Sequence, residues 1–144
     1  MDIEKMTGLE VLEAIRDNRI RHPSMAATLG FRLTEVEDGR AVITGETNSG
    51  YCNPNGSIHG GWPAAVLDSA MGSAVHSTLP AGIDFTIVEF KIDFVRPITV
   101  TTGVVKAEGT VVNVGKRIGL ADGVMRDSEN RILAKGTTTC LILR

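Results

Sequence analysis

Asp68 is the residue whose type and surroundings point most directly to chemistry. The residues three and four positions away from it are all small or apolar, so a helix through this segment offers the carboxylate no ion pair. Between Arg40 and Lys91 the sequence has no lysine or arginine. An unpaired acid on a helix fit for burial costs free energy unless a function uses it. Asp68 is therefore a candidate general base or nucleophile.

A polar, turn-rich loop runs directly into the helix that carries this acid. The loop extends from Asn53 to His59, Gly60 and Gly61 open the predicted helix, and Pro63 fits its first turn. Free N–H groups and the helix dipole make such a helix start attractive to negative charge. The alternative is structural: the two glycines make a tight connection, and Asn53 belongs to a turn.

The acid and the helix start are too far apart to cooperate within one chain. Asp68 lies about two turns into the helix, roughly 10–12 Å along its axis from Gly60 at 1.5 Å per residue. The motif therefore implies that a second copy of the chain supplies the missing half of the site.

The elements that must hold this loop and helix follow a β-β-α-β-β-β-β order. Two short strands, residues 31–37 and 40–47, flank Asp38-Gly39, which is typical of a tight hairpin turn. The only long helix is predicted over residues 60–78. Four strands follow it. The first alternates from Thr86 and ends at Arg96-Pro97, and the others are predicted over residues 102–112, 117–126 and 131–143.

The first of those four strands has a strict alternation, and the later strands carry small residues on one face. The alternation places five residues on one face: Thr86, Val88, Phe90, Ile92 and Phe94. The small residues are Gly103, Ala107, Gly109, Gly119, Ala121, Gly123, Ala134 and Gly136. Small residues weaken a strand interior unless another backbone approaches it closely. We expect one α+β domain over residues 1–144. Its core, residues 31–143, is a curved antiparallel sheet around the long helix, and residues 1–28 form a peripheral segment with a helix over 9–18 and a turn capped by Ser24.

The composition narrows the possible partners. The net charge is −2, and positive and negative side chains are interspersed along the sequence, so no basic patch for nucleic acid is indicated. The N-terminus has neither a basic start nor an apolar run, and no segment approaches the ~20 apolar residues of a membrane span. The two cysteines and three histidines lack metal-ligand spacing, so no metal is expected. We expect a cytoplasmic protein whose partner is a small molecule or another copy of the chain, with no nucleic acid and no membrane.

Together these features resemble the hotdog-fold acyl-CoA thioesterases, specifically the phenylacetic-acid-degradation (PaaI-like) branch. The shared motif, Asn-x5-His-Gly-Gly-x6-Asp, matches Asn53, His59, Gly60, Gly61 and Asp68. The similarity covers about residues 31–143 and includes three further segments: Thr86, Phe94-Val95-Arg96-Pro97 and Gly115-Lys116-Arg117. Trp62-Pro63 directly after the glycines departs from the pattern and leaves the identity of the substrate open.

The resemblance implies a thioester hydrolase with sites shared between subunits. Backbone N–H groups of Gly60 and Gly61 would hold the thioester oxygen, and antiparallel helices in a dimer would bring Asp68 of one subunit to the helix start of the other. Asp68 would act as a general base toward water or as a direct nucleophile, and the sequence leaves both open. Its structural alternative is a buried acid that is hydrogen-bonded to a neighbouring helix turn or forms a polar group of a dimer interface. The implied assembly is a homo-oligomer, at minimum a dimer, with a dimer of dimers expected.

The same resemblance implies that three more residues belong to the site. Asn53 would polarise the carbonyl or hold the water, His59 would orient the loop or contact the sulfur, and Thr86 would orient the water beside Asp68. Each has an ordinary alternative: a turn residue, a helix cap or loop brace, and a β-branched strand residue.

Substrate contacts are expected on both sides of the reacting group. Trp62, Met71 and the first helix would line the acyl site, with Gly61 at its entrance. Gly115-Lys116-Arg117 would bind the nucleotide phosphates of coenzyme A, or it is simply a solvated turn. It is not a Walker loop, because Arg117 stands where Ser or Thr is needed. No cofactor is expected, since coenzyme A is part of the substrate.

Two other functions compete with hydrolysis. A hotdog hydratase-dehydratase for enoyl or hydroxyacyl thioesters usually carries a His-Phe-Pro or related segment, which is missing from this sequence. A non-catalytic acyl-CoA-binding module could dispense with the acid that this chain retains as Asp68. The sequence favours hydrolysis of an aromatic or short- to medium-chain acyl-CoA and leaves the acyl group open.

Overall fold

The chain contains three α-helices, three short 3₁₀ turns and six strands, and a computed structural model describes all 144 residues. The helices are α1 (Gly8–Arg16), α2 (Ser24–Leu29) and α3 (Gly61–His76). The strands are β1 (Phe31–Glu37), β2 (Arg40–Glu46), β3 (Asp84–Phe94), β4 (Val104–Val114), β5 (Ile118–Asp127) and β6 (Ile132–Leu143). The predicted α+β class and element order are confirmed. No helix combines the length and the apolar character needed to cross a bilayer.

The six strands form one antiparallel sheet in the order β1-β2-β4-β5-β6-β3. The predicted hairpin between β1 and β2 is present: Glu37 pairs with Arg40, and Gly39 has a φ of 81°, which glycine adopts without strain. This order leaves β1 and β3 as the two edges of the sheet.

Small residues let α3 lie against the concave face of this sheet. A Cβ on Gly109 of β4 would overlap the backbone of Ala70, and a Cβ on Gly123 of β5 would lie 2.9 Å from Met71 Cγ. The expectation that these small residues admit the helix is confirmed. The same expectation is wrong for Gly103. This residue precedes β4 with a φ of 75°, and nothing lies within 4 Å of a Cβ there. It serves a turn and makes no room for the helix.

Strand β3 does not keep the single alternation that its sequence predicts. Its pairing with β6 shifts between Ile87 and Glu89, which marks a β-bulge that adds one residue to β3. Before the bulge, Ile87 faces α3; after it, Ile92 faces the same side. Thr86 therefore lies on the opposite face of the sheet from Ile92. The prediction of one common face is wrong because the bulge inverts the alternation.

The N-terminal helices pack beside α3 and enclose space against it. Helix α1 begins with a capping box, in which Thr7 Oγ1 accepts the Glu10 N–H at 3.3 Å and Glu10 Oε2 accepts the Thr7 N–H at 2.8 Å. Gly8 N–H donates to the Leu79 carbonyl at 2.9 Å, which ties α1 to the end of α3. The predicted cap at Ser24 is wrong, because Ser24 is already the first residue of α2.

Candidate active site

Asp68 lies in the middle of α3, on a face that borders the N-terminal helices and β3. Burial raises the pKa of its carboxyl above the usual value, and no hydrogen bond or cation of the chain counteracts this. A carboxylate in this setting is more basic than an exposed one. It can therefore accept a proton from water or attack a carbonyl carbon.

A largely apolar cavity of about 190 Å³ opens beside Asp68. Helix α1 contributes Leu12 and Ile15 to its wall. Strand β3 contributes Phe85 and Ile87 from the other side. Because an engineered apolar cavity of about 150 Å³ takes up benzene, this space can hold a ring or a short branched chain.

Gly60 carries the only N–H group at the start of α3 that has no acceptor. His59 accepts hydrogen bonds from the next two N–H groups. Its Nδ1 accepts the Gly61 N–H at 2.8 Å, and its carbonyl accepts the Trp62 N–H at 3.0 Å. Pro63 has no N–H, and from the following residue onward the helical hydrogen bonds are in place. The Gly60 N–H thus remains free at the positive end of the helix dipole, where it can bind a ligand oxygen.

A side chain at either of the two glycines of this helix start would meet a different neighbour. Gly60 has φ −58° and ψ −21°, values that any residue adopts, so the backbone does not demand glycine there. A Cβ on Gly60 would point at the ring of Phe94, 3.2 Å from Cζ. A Cβ on Gly61 would lie 2.9 Å from His59 Nδ1, so Gly61 makes room for the imidazole that accepts its N–H. The contact with His59 therefore accounts for Gly61, whereas glycine at position 60 only avoids a close contact with the Phe94 ring.

His59 acts on the loop and the helix start in this structure. Because its Nδ1 accepts a hydrogen bond from Gly61, the neutral ring carries its proton on Nε2. This arrangement supports the loop-orienting role among the alternatives for His59. Its exposed ring keeps Nε2–H as a free donor.

Asn53 holds the turn that leads to His59. Its N–H donates to the Ser57 carbonyl at 2.7 Å, and its Nδ2 donates to Ser57 Oγ at 3.0 Å. Its side-chain oxygen has no partner in the chain. Neither Asn53 nor His59 borders the cavity beside Asp68.

No three His, Cys, Asp or Glu side chains come together as a metal site would require.

Gly60 borders a second cavity that shares no lining residue with the first. This second cavity has a volume of about 420 Å³ and is lined by the end of β3 and the following residues up to Ile98. Asp68 is eight positions further along α3, or about 12 Å along the helix axis. One chain therefore holds the acid and the free N–H in two separate places.

A family model that matches most of the sheet and all of α3 agrees with this fold. The thioesterase superfamily model matches residues 55–134, which is more than half of the chain. The chain belongs to the thioesterase superfamily. Its curved sheet around α3 is the hotdog fold.

Similar proteins support this assignment. A Halobacterium salinarum protein named "Putative esterase" is 26% identical over 124 residues, which cover 81% of this chain and 80% of that protein. The crystal structure of S. sahachiroi AziG has a TM-score of 0.80 and 25% identity, over 85% of this chain and 98% of that one. The E. coli PaaI protein, from the phenylacetic acid degradation operon, has a TM-score of 0.83 and 22% identity over 96% and 97% of the two chains. At that identity the E. coli structure shows the common fold.

In this thioesterase, Gly115-Lys116-Arg117 connects β4 to β5 near the C-terminal end of α3. Close to this turn, a Cβ on Gly119 would lie 3.1 Å from Val75 Cγ1, at the end of α3. The turn is exposed and its two cationic side chains form no ion pair within the chain. It lies at the opposite end of α3 from Gly60.

Trp62 and Met71 lie in the core of the thioesterase, away from the cavity they were expected to line. Trp62 is 3% exposed, stacks on Tyr51 with ring centroids 5.6 Å apart, and donates from Nε1 to the Leu29 carbonyl at 2.8 Å. Met71 is fully buried between α3 and the sheet. Neither residue borders the cavity beside Asp68, because the sheet-facing side of α3 is filled by core packing.

Thr86 also lies apart from Asp68 within one chain. It pairs with the exposed Leu141 of β6, whereas its neighbour Ile87 faces α3. Its side chain is therefore on the convex face of the sheet, and the cavity is on the concave side.

Sequence reasoning missed three polar residues that share the cavity with Asp68. They are His22, Ser69 and Ser73. Helical periodicity was a usable signal for the two serines, because positions one turn apart share a face of a helix. No local signal marks His22, since only tertiary packing brings its loop to this cavity.

Proposed function

We propose that the chain is an acyl-CoA thioesterase whose two sites are each shared between subunits. Asp68 of one subunit supplies the base or nucleophile, and the Gly60 N–H of the other holds the carbonyl oxygen. The observation that carries the proposal is the Asp68 carboxylate, which lies without a partner beside an apolar cavity. Membership of the thioesterase superfamily supports thioester hydrolysis as its use.

The exposed edge of β3 supports a dimer. This edge strand has 11 residues, and Val88, Phe90 and Phe94 are exposed by 56%, 42% and 57%. A long edge with exposed apolar side chains favours pairing with another strand. The other edge, β1, has 7 residues and carries several charged side chains. Two copies that pair along β3 about a two-fold axis continue the sheet and set their α3 helices antiparallel.

A two-fold axis near Ala64 brings the two halves of the site together. This residue is midway between Gly60 and Asp68, so antiparallel helices that cross there place Asp68 opposite the partner subunit's Gly60. Ala64 and Ala65 are small and only partly buried, which allows two helices to approach closely. The same rotation moves the 115–117 turn toward the partner's helix start, where its cations can bind the phosphates of coenzyme A.

Apolar side chains on the convex face of the sheet support association of two such dimers. They are Ile118, Leu120, Leu141 and Leu143, which are exposed by 44%, 38%, 37% and 44%. Neighbouring exposed apolar side chains on a sheet face favour a protein contact.

Hydrolysis can follow two routes from this arrangement. In one, Asp68 takes a proton from water while the water oxygen attacks the carbonyl carbon. In the other, the carboxylate attacks, and water then cleaves the resulting anhydride. In both, the carbonyl oxygen becomes an oxyanion beside the Gly60 N–H, the C–S bond breaks, and coenzyme A leaves and takes up a proton. One oxyanion donor contributes about 10²–10³ in rate in a known enzyme. No cofactor is consumed, because coenzyme A is part of the substrate.

Release of coenzyme A thiol from a panel of aryl, short-, medium- and long-chain acyl-CoA substrates tests the proposal. The matched variant is Asp68→Asn, which keeps the shape of the side chain and removes its basicity. We expect kcat to fall by at least about 10²-fold in this variant. Ser128→Ala, in the exposed β5–β6 turn, should retain native activity. No hydrolysis of any substrate, or full activity of Asp68→Asn, contradicts the proposal.

A further inference from the structure

The N-terminal segment, residues 1–29, forms one wall of the cavity beside Asp68. It contains α1, α2 and the loop between them. Six of the 15 residues that line the cavity belong to this segment: Leu12, Ile15, His22, Pro23, Met25 and Ala26. The remaining wall is formed by α3 and the sheet. The cavity is therefore enclosed only while the segment lies against α3 and the sheet.

Few polar contacts hold the N-terminal segment in this position. At the start of α1, the Gly8 N–H donates to the Leu79 carbonyl at 2.9 Å. At the end of α2, the Leu29 carbonyl accepts a hydrogen bond from Trp62 Nε1 at 2.8 Å. These two are the only hydrogen bonds between the segment and the rest of the chain, and the ion pairs of the segment are all internal. A unit attached mainly by packing opens more readily than the core of a sheet.

His76, the last residue of α3, lies at the first of these attachments. Its half-buried ring packs on Phe85, with centroids 5.5 Å apart. A Cβ on Gly8 would overlap the His76 carbonyl oxygen and lie 2.7 Å from Cδ2 of the ring, so α1 begins in contact with the imidazole. Burial lowers the pKa of this ring, and the charge of Asp84 on β3 opposes the effect without reversing it. The first-turn acid of α1, Glu10, is held in the capping box.

His22 lies in the loop between α1 and α2 and borders the cavity. Its Nε2 is the only buried side-chain nitrogen or oxygen of the chain without a hydrogen-bond partner. Such an atom costs free energy, and an open segment would return it to water. Burial lowers the pKa of this imidazole, and the charge of Arg32 on β1 adds to the effect. Asp68, the acid that borders the same cavity, does not reverse this direction.

The position of the segment and the charge of the two imidazoles are therefore coupled. An open segment brings both rings into greater contact with water, so that each pKa returns toward the ordinary value of about 6.5. Above that value both forms hold neutral rings, and the closed position has its full stability. As the pH falls below it, the open form takes up protons more readily than the closed form does. Acid therefore favours opening.

We propose that the N-terminal segment is a pH-sensitive lid over the cavity beside Asp68, with His22 and His76 as its switch. At neutral pH the lid encloses the cavity. Protonation of the two rings shifts the lid toward the open position, in which Leu12 and Ile15 no longer line the cavity. The lid goes beyond the proposed function, because it does not depend on which molecule enters the cavity.

Hydrogen exchange of the α1 amides tests the lid without any substrate. Their protection factors, corrected for the intrinsic effect of pH, should fall by at least about threefold between about pH 7.5 and about pH 5.5. The amides of β5, in the middle of the sheet, are the internal control and should keep their protection. Protection of α1 that does not change, or that falls together with that of β5, overturns the proposal.

Removal of the two titrating groups should abolish this pH dependence. In a chain that combines His22→Gln with His76→Gln, the α1 protection factors at the two pH values should agree within about twofold. The combination of His22→Phe with His76→Phe repeats the measurement with aromatic side chains, in case glutamine itself loosens α1. His59→Gln changes the third histidine, which lies outside the lid, and should keep the native pH dependence of exchange. Loss of α1 protection on acidification in either double variant overturns the proposal.

Steady-state kinetics connect the lid with the proposed function, on which this measurement alone rests. The native KM for arylacyl-CoA should rise by at least about threefold between the two pH values, and that of the double glutamine variant should not. The acid loss of kcat that comes from Asp68 remains in both proteins. An equal rise of KM in both overturns the role of the segment as a lid. If no thioester is hydrolysed, the proposed function fails, and the exchange measurements still decide the lid.

Discussion

Asp68 and Gly60 belong to the same helix and border two different cavities. Their separation of about 12 Å along the axis is too large for one carbonyl group to contact both. Two antiparallel copies of α3 remove this difficulty, because each Asp68 then faces the helix start of the other chain. The proposed dimer would have two equivalent sites, each with one residue from each subunit.

Mixing two inactive variants should restore activity if the sites are shared in this way. The variants are Asp68→Asn and Gly60→Val, the second of which blocks the approach to the free N–H. After joint unfolding and refolding, half of the dimers are mixed, and each mixed dimer has one intact site, so about a quarter of native activity returns. The measurement is thiol release by the mixture and by each variant alone. A site contained in one chain predicts no gain over the separate variants.

The assembly itself should be sensitive to the size of the side chain at Ala64. Because the two helices cross there in the proposed dimer, Ala64→Arg should weaken the dimer and reduce activity by at least about tenfold through loss of the partner's half-site. Sedimentation should show at least a dimer for the native chain and a smaller species for the variant. Ala81→Arg, in the exposed loop before β3, is the control. A folded, fully active monomer contradicts the shared site.

Replacing Asp68 should make the protein more stable as it becomes less active. Burial raises the pKa of this carboxyl in the folded chain, so the folded state holds the proton more tightly than the unfolded state does. Stability therefore falls as the pH rises from the unfolded pKa through the higher folded pKa, and the cost is complete above it. Asp68→Asn should raise Tm at pH 7 and have a smaller effect below pH ~4, while kcat falls by about 10²–10⁴-fold.

Thermal unfolding at the two pH values, at one ionic strength, checks this prediction. The pH profile of kcat/KM adds an independent observation: the native protein should lose activity on the acid side at a pKa above that of an ordinary aspartate. A lower Tm for Asp68→Asn at pH 7 would mean that the carboxylate makes a stabilising contact, which the structure does not show.

The two glycines at the helix start should respond differently to alanine. Gly60→Ala keeps an allowed backbone and meets only the end of the Phe94 ring, so it should fold normally. Its methyl group narrows the approach to the free N–H, and kcat/KM should fall by at least about tenfold. Gly61→Ala displaces His59 from its hydrogen bond and should cost about 0.5–2 kcal/mol of stability, as loss of a helix cap does.

Denaturant unfolding and steady-state kinetics distinguish these two effects. Native kcat/KM in Gly60→Ala would remove this residue from the site, and unchanged stability in Gly61→Ala would remove the structural role of the His59 contact.

The parts of the structure that could be predicted from the sequence are those that depend on local pattern. The Asp38-Gly39 turn, the single long helix and the distance between Gly60 and Asp68 follow from turn chemistry, periodicity and helix rise. The bulge after Ile87 has no such signal, and it moved Thr86 to the other face of the sheet. Trp62 was misplaced because its partner, the Leu29 carbonyl, lies 33 positions away in the chain.

Gly72 should control the room available for the acyl group. Gly72→Ala places a methyl group at ordinary contact distance, 3.4 Å, from Ile87 and Phe85, so the helix can accept it. Alanine favours a helix interior over glycine by about 0.5–1 kcal/mol, and the free energy of unfolding should rise by up to that amount. The same methyl group reduces the cavity between Asp68 and Ser73. We expect kcat/KM for arylacyl-CoA to fall by at least about tenfold, with a much smaller change for acetyl-CoA. Equal losses for both substrates would place the acyl group outside this cavity. A methyl group that narrows the cavity should obstruct an aromatic ring and leave room for the two carbons of an acetyl group.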